Sequence, residues 1–443
     1  MKEIHEVSTI DFLMKTRQIY KNPLPFHHEN FEKYGKTFKI TPKPGLTIHF
    51  SCDENIIKHI LQKNQKNFDK STLQTEDLGK YIGHGLLTEN GEKWRANRKL
   101  IQPAFYKKSI QSLLSVMQQT VEQELDNIPL NSTVDVYPIF NDLAFKVVAR
   151  GLFDLPDIEE DIKRLQYITE QAQKMLIKEL RIPWMKWYFD REWLAGTNSV
   201  PFHHKLIDES REILRNIITK RRKSTTQHQD LLDMLLHSTY EDGTFMEEEQ
   251  LIDEILVLFI AGHETTANAL SFAVQLLAHH PEIQEEAREE VMNDSSATIF
   301  ESLTVRTFVK QCVEETLRLY PPAYVTDRVT LEDDYCGDIN LEKGSIWLIS
   351  FYELHRRKDL WKDADQFKPH RFNPEVFENK DYYFPFGAGP RKCVGSNFAI
   401  YEMVLAISSI LKKYQLTPVN EHIEIYPLIS LKPKNALVKF SKL

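Results

Sequence analysis

Residues Phe384-Pro385-Phe386-Gly387-Ala388-Gly389-Pro390-Arg391-Lys392-Cys393-Val394-Gly395 set one cysteine in a loop dense with glycine and proline. The text that follows, Ser396 to Lys412, repeats apolar residues at helical spacing: Phe398, Ile400, Met403, Val404, Ile407 and Ile410. The sulfur therefore sits where a constrained loop feeds a helix N-terminus. Free backbone N–H groups and the positive end of the helix dipole gather there, and both favour thiolate over thiol. Gly389 and Gly395 let the backbone come close to a flat ligand, and Arg391 offers a fixed fork of donors for a carboxylate. A lone cysteine is more often a buried core residue, but this pattern constrains too many positions for that reading. Thiolate, close backbone and guanidinium together suit a haem whose iron takes sulfur and whose propionate takes arginine.

The spacing Phe386-x-x-Gly389-x-Arg391-x-Cys393-x-Gly395 resembles the haem-binding signature of the cytochrome P450 superfamily at every defining position. The resemblance implies haem b (iron protoporphyrin IX) with Cys393 as its iron ligand. It implies a mainly α fold with a smaller β-rich portion, the haem lying between a long distal helix and this proximal loop. It also directs attention to four other stretches, in the order and spacing of the family.

Trp94 and Arg98 are four apart in Gly91–Leu100 and share one helical face. An indole N–H beside a guanidinium can donate to a carboxylate. An isolated pair of this kind is usually surface packing; the resemblance makes it a holder of haem propionates, together with Arg328. From Glu248 to His280 the text reads as one long helix ended by Pro281, interrupted by Ala261-Gly262-His263-Glu264-Thr265-Thr266. A helical threonine can back-bond to the carbonyl four residues earlier and loosen the ladder. Gly262 leaves that place without a side chain, so the stretch makes a groove for water and a diatomic, with Glu264 as proton relay. The bland alternative, a solvent-facing Glu-Thr-Thr patch, leaves the glycine unexplained. The stretch resembles the family's oxygen-binding motif, with Glu264 and Thr265 as its proton-delivering pair. On a helix from Leu303 to Leu319, Glu315 and Arg318 are i,i+3 neighbours. The family joins such a pair to an arginine downstream, here Arg371, in a cluster better suited to fixing geometry than to adding stability. His370 stands where glutamate is commoner.

Length alone, 443 residues, suits two or three domains. The resemblance runs from about Phe31 to Phe440 and replaces that expectation with one domain over 1–443, residues before Phe31 peripheral. A content of 42% hydrophobic and 27% charged residues is that of an ordinary globular protein, and the net charge of -8 argues against a nucleic-acid partner. Cys52, Cys312, Cys336 and Cys393 form no paired motif, which suits a reducing compartment. No signal peptide follows the charged N-terminus, and no uninterrupted apolar run reaches ~18 residues. A soluble, bacterial-type, cytoplasmic and monomeric member is therefore expected, without the anchor of microsomal relatives. Ser441-Lys442-Leu443 matches a peroxisomal address, but it also merely ends the strand-like Ala436–Phe440.

Elsewhere, Phe38–Ile40 and Thr47–Phe50 flank the turn text Pro42-Lys43-Pro44-Gly45 and read as a hairpin. Asp53 to Gln62 reads as a short helix, and Phe68 to Gly85 as irregular. From Ile110 to Arg222 the chain reads as helical, with breaks near Pro129, Pro156, Pro183 and Pro201, and Arg221–Asp230 as a loop. The aromatic Arg181–Phe189 reads as a core element, although the family places it at the lid of the access channel. Relatives also close a loop over substrate near Tyr81, Ile82 and Leu86. The resemblance puts Ala323, Tyr324, Val325 and the turn at Ile429 by the pocket.

The implied activity is insertion of one atom of O2 into a lipophilic molecule such as a fatty acid, terpenoid or carotenoid. An isomerase, dehydratase or peroxide-driven variant usually alters the acid–alcohol pair, which is intact here; a haem sensor or carrier is a further alternative. Only 50 residues follow Cys393 (443 minus 393), too few for a fused reductase. Electrons are then expected from a separate ferredoxin or flavodoxin with its reductase. Arg95, Lys99 and Lys392 are candidates for a basic docking face, which Lys107 and Lys108 would extend.

Overall fold

The structure, a computed structural model, describes residues 3–43, 45–153, 159–224, 228 and 230–443. Pro44 of the expected hairpin turn, the expected break at Pro156, and residues 225–227 and 229 of the expected loop lie outside the described residues. The chain is mainly helical with a smaller β portion. It forms two compact units: Met1–Ser71, Leu125–Phe140 and Thr265–Leu443 in one, Thr72–Glu124 and Asn141–Glu264 in the other.

All the named strands belong to the first unit. Its largest sheet runs in the order His5–Val7, Thr37–Lys43, Leu46–Ser51, Ile346–Ser350, Val325–Thr330, Phe68–Asp69. Alternating apolar residues set the register, because a slip of one would turn the core face to solvent. Thus Phe38 pairs with Phe50, their rings stacked at 4.7 Å. His49 pairs with Trp347 at 4.4 Å. Asp53 caps the helix Glu54–Lys58 by accepting from the Asn55 and Ile56 N–H groups, and a π-turn, His59–Lys63, follows directly. The expected helix Leu303–Leu319 is two helices, Ile299–Val305 and Thr307–Leu319. Arg306 between them leaves helical torsions, and its guanidinium reaches Asp294 at 2.9 Å. The last strand, Leu437–Lys442, pairs Ser441 with Gln415 and Lys442 with Tyr414. Two residues of the C-terminal triplet thus serve a sheet.

In the second unit, helices Glu159–Arg181 and Val200–Lys223 pack on each other. Ile168, Ala172, Met175 and Leu176 share a core with Leu206 and Ile207. The expected break near Pro201 falls at extended Ser199, which caps a new helix with Pro201 at its second position. The stretch expected to be irregular is ordered: strand Phe68–Asp69, π-turn Leu73–Leu78 and helix Gly79–Ile82. Such π-turns escape a reading tuned to a 3.6-residue period. The aromatic stretch is not core throughout, because Phe189 is buried while Trp184 and Trp187 are 63% and 58% exposed.

One helix, Glu248–His279, runs on through both units. Among the described residues it is the one helix long and apolar enough to cross a membrane, and 83% of its most apolar window is buried in the protein.

Candidate functional site

In the first unit the Cys393 loop is built by its backbone. Gly387 N–H donates to the Phe384 carbonyl at 3.0 Å, Lys392 N–H to Gly389 at 3.1 Å and Cys393 N–H to Phe386 at 2.9 Å. A 3₁₀ turn, Gly389–Arg391, then hands the chain to the helix Ser396–Lys413, with Gly395 as its N-cap. Cys393 is exposed, whereas Cys52 and Cys312 are buried, where loss of water pushes their thiols up. Gly389 has φ +67, and a Cβ there would lie 1.8 Å from the Leu61 carbonyl oxygen of the π-turn. Only glycine fits that crossing.

The entry to the loop is tied to a buried ionic cluster. Arg318 donates through Nε and Nη2 to Glu315 at 2.7 and 2.9 Å, and Arg371 Nε reaches the same carboxylate at 2.9 Å. Arg318 Nη1 also donates to the carbonyls of His355 and Ala364 at 2.7 and 2.6 Å. The His355 ring in turn accepts from Phe384 N–H through Nε2 at 2.9 Å. Burial, followed by the charges of Arg318 and Arg356, lowers the His355 pKa to about 3, so a neutral ring is there to accept. His370 lies outside this cluster, near the surface against Glu286 at 3.2 Å. Sequence reading found Glu315, Arg318 and Arg371 but not His355, whose link to Phe384 leaves no periodic trace.

Two further arginines lie in the same unit. Arg391 donates to Asp69 at 3.0 Å. Arg328, buried, donates to Thr326 Oγ1 at 3.1 Å and to the Asp327 carbonyl at 2.5 Å. Burial, then the charge of Arg391, lowers the Arg328 pKa to about 10. Two guanidiniums are thus held near each other in low dielectric, where an anion relieves both desolvation and repulsion. Two arginines and an exposed cysteine in one unit fit the propionates and the iron ligand of a haem. Asp69, 322 residues from Arg391, was not foreseeable from spacing.

The second unit holds Trp94, Arg98, Ala261, Gly262 and Glu264, while Thr265 belongs to the first. Trp94 is buried and Arg98 half-buried on the helix Gly91–Ile101, where Arg98 Nε donates to Gln102 at 3.0 Å. Ala261, Gly262 and Glu264 lie on the long helix, Glu264 with 8% exposure; Thr265, next along the same helix, is half-buried. The glycine at 262 has a packing reason besides the groove argued from sequence. A Cβ there would come within 3.0 Å of Val148 Cγ2, so glycine also permits the close approach of the helix Val136–Leu152.

Of the pocket candidates, Tyr81 and Ile82 are core residues, and the Tyr81 hydroxyl donates to Glu179. Tyr324 is likewise buried, its hydroxyl on the Leu428 carbonyl at 2.9 Å. Leu86 and Val325 are half-buried, and Ala323 and Ile429 are exposed. Of the three docking candidates, Arg95 pairs with Glu92 and Lys99 with Glu241, while Lys392 is exposed in the other unit. The basic face read from sequence is thus partly neutralised.

A family model described as "Cytochrome P450" matches residues 8–440. Among curated relatives, "Cytochrome P450 CYP72A613" of Trigonella foenum-graecum is 30% identical over 90% of this chain and 79% of its own. "Cyclooctat-9-en-7-ol 5-monooxygenase" of Streptomyces melanosporofaciens is 26% identical over 93% and 89%. The solved structure "Retinoic acid bound cyanobacterial CYP120A1" superposes with a TM-score of 0.83 at 25% identity, covering 97% of this chain and 96% of that one.

Proposed function

The chain belongs to the cytochrome P450 family, haem b oxidoreductases of the monooxygenase class, and we propose that it hydroxylates a terpenoid-like molecule with electrons from a separate ferredoxin or flavodoxin. The observation that carries the haem reading is the arginine pair, buried Arg328 and half-buried Arg391, in the unit that exposes Cys393. The terpenoid class is supported by relatives named as a pentalenene oxygenase and a cyclooctatenol monooxygenase, and by the retinoic acid named in the structural neighbour. A cytoplasmic location is supported by the spacing of the four cysteines in the sequence, which form no paired motif.

Bound haem supplies the oxygen-activating and bond-breaking chemistry, and a thiolate ligand favours O–O cleavage. The residues of this chain do the rest. Cys393, in a loop held by backbone hydrogen bonds, would offer its sulfur to the haem iron. Arg328 and Arg391 would hold haem propionates, and the resemblance gives Trp94 and Arg98 the same role. Glu264, mostly buried, carries protons along the long helix and Thr265 hands them on at its hydroxyl. The exposed charge of Lys392 supports docking of an acidic electron donor, a contact that weakens as salt rises.

A panel of fatty acids, terpenoids and retinoids, titrated into the purified holoprotein, tests the substrate class through the spin-state shift of the haem. A terpenoid or retinoid should shift it and be hydroxylated when a surrogate ferredoxin system supplies electrons. Shifts from fatty acids alone would overturn the class, and tight binding without oxygen consumption would overturn the monooxygenase reading.

A further inference from the structure

Ten residues before Glu264, the long helix buries a second glutamate, Glu254, with no exposure. One of its oxygens, Oε2, accepts the Leu86 N–H at 2.9 Å. The other, Oε1, accepts the side-chain amides of Asn97 at 3.0 Å and Gln250 at 3.1 Å. Asn97 is spoken for on both sides, because its own oxygen receives the Tyr240 hydroxyl at 2.7 Å. The same helical turn grips the loop again. Asp253 accepts the His84 N–H at 2.9 Å, and Gln250 donates to the His84 carbonyl at 2.8 Å. Gly85 makes the approach possible, since a Cβ there would lie 2.8 Å from Glu254 Oε2. All these residues belong to the second unit.

Three features converge on one carboxylate: the long helix, the loop Gly83–Leu86, and the helix Gly91–Ile101. Asn97 sits next to Arg98 and three residues from Trp94 on that last helix. Three donors aimed at two oxygens suit an ionised acid, yet burial opposes ionisation. Stability alone does not call for such a group, since an apolar side chain of equal volume avoids the desolvation cost. We propose that Glu254 is a positioning residue that fixes the Trp94–Arg98 helix and the preceding loop to the long helix, and so governs how firmly the haem is retained. This rests on the haem reading given above.

The balance of burial against three hydrogen bonds leaves the Glu254 carboxyl raised to about 7, with burial the largest cause. Asp253 of the same helix pushes in the same direction and is itself held by Arg211. Tyr240, on the chain just before the long helix, faces the site with its phenol raised by burial and then by Glu254; His84 contributes from the loop only backbone groups. When the loop opens, water reaches Glu254 and its pKa returns toward the ordinary 4.5. Opening is therefore favoured as pH rises from that value to about 7, and levels off above it.

The test is the rate at which the holoprotein gives up haem to apomyoglobin, measured at pH 5.5 and 7.5. Wild type should release faster at the higher pH, by roughly tenfold more than Glu254→Gln does over the same interval. Glu254→Ala and Asn97→Ala should each accelerate release at both pH values, with less than additive effects when combined. If Glu254→Gln shows the wild-type pH ratio, or if Asn97→Ala releases haem at the wild-type rate, the proposal is overturned. Should Glu254→Ala fail to fold, the glutamine variant decides alone. A wild-type protein that binds no haem would instead overturn the haem reading on which the proposal rests.

Discussion

Cys393 is presented by its neighbours' backbone, and Gly389 is the residue on which that presentation turns. Gly389→Ala combines a left-handed torsion, which costs about 1–2 kcal/mol without glycine, with a Cβ at 1.8 Å from a carbonyl oxygen that only backbone movement can relieve. The variant should lose most of its haem at equal protein concentration, measured by the pyridine haemochrome; full loading would show that the crossing at Leu61 is dispensable. Thr265→Ala should keep its haem but divert reduced O2 to peroxide, assayed as hydrogen peroxide formed per NADPH consumed. Unchanged coupling would move proton delivery to other groups. The Cys393 loop was legible because each of its residues has a local reason: torsion, close approach or charge. Gly262 was only half legible, since the contact with Val148 lies 114 residues away (262 minus 148).

Elements were legible where an apolar period or a terminating proline marks them, as in Ser396–Lys413 and in Glu248–His279 before Pro281. They were misread where the backbone departs from a 3.6-residue repeat. Arg306 splits an apparently continuous helix because its guanidinium follows Asp294, and the π-turns at His59–Lys63 and Leu73–Leu78 carry no period that a sequence reading recognises. The cluster that joins Thr307–Leu319 to the chain around Arg371 holds geometry at an energetic risk. Arg318→Met strands the wholly buried Glu315 with Arg371 as its remaining guanidinium, and should cost about 3–5 kcal/mol in denaturant unfolding of the holoprotein. A loss below ~1 kcal/mol, the range of an exposed pair, would refute the burial argument. The helix Ser396–Lys413 offers a pH test. Its Glu402 is fully buried, neither side-chain oxygen has a hydrogen-bond partner among the described residues, and burial pushes the carboxyl well above 4.5. A raised folded-state pKa means stability is fully present below 4.5 and is lost as pH rises above it. Glu402→Gln should flatten that decline between pH 5 and 7 in thermal unfolding, whereas an unchanged slope would mean the acid is not buried in solution.

At the scale of the whole molecule, composition could say only that the chain is globular and acidic; the signature around Cys393 supplied the fold, and a TM-score of 0.83 to a solved relative agrees. What stayed hidden was long-range: Asp69 under Arg391, and Leu86, Asn97 and Tyr240 around Glu254. Those partners are set by packing, and no single-residue pattern announces them. The account depends on Cys393 being a thiolate ligand to haem, and the carbon monoxide difference spectrum of the reduced holoprotein measures that directly. Wild type should give the strongly red-shifted Soret band of a thiolate–haem complex, and Cys393→Ser should lose it while the other three cysteines remain. A wild-type band at the position given by histidine-ligated haem, or a red-shifted band that survives in Cys393→Ser, would contradict the account.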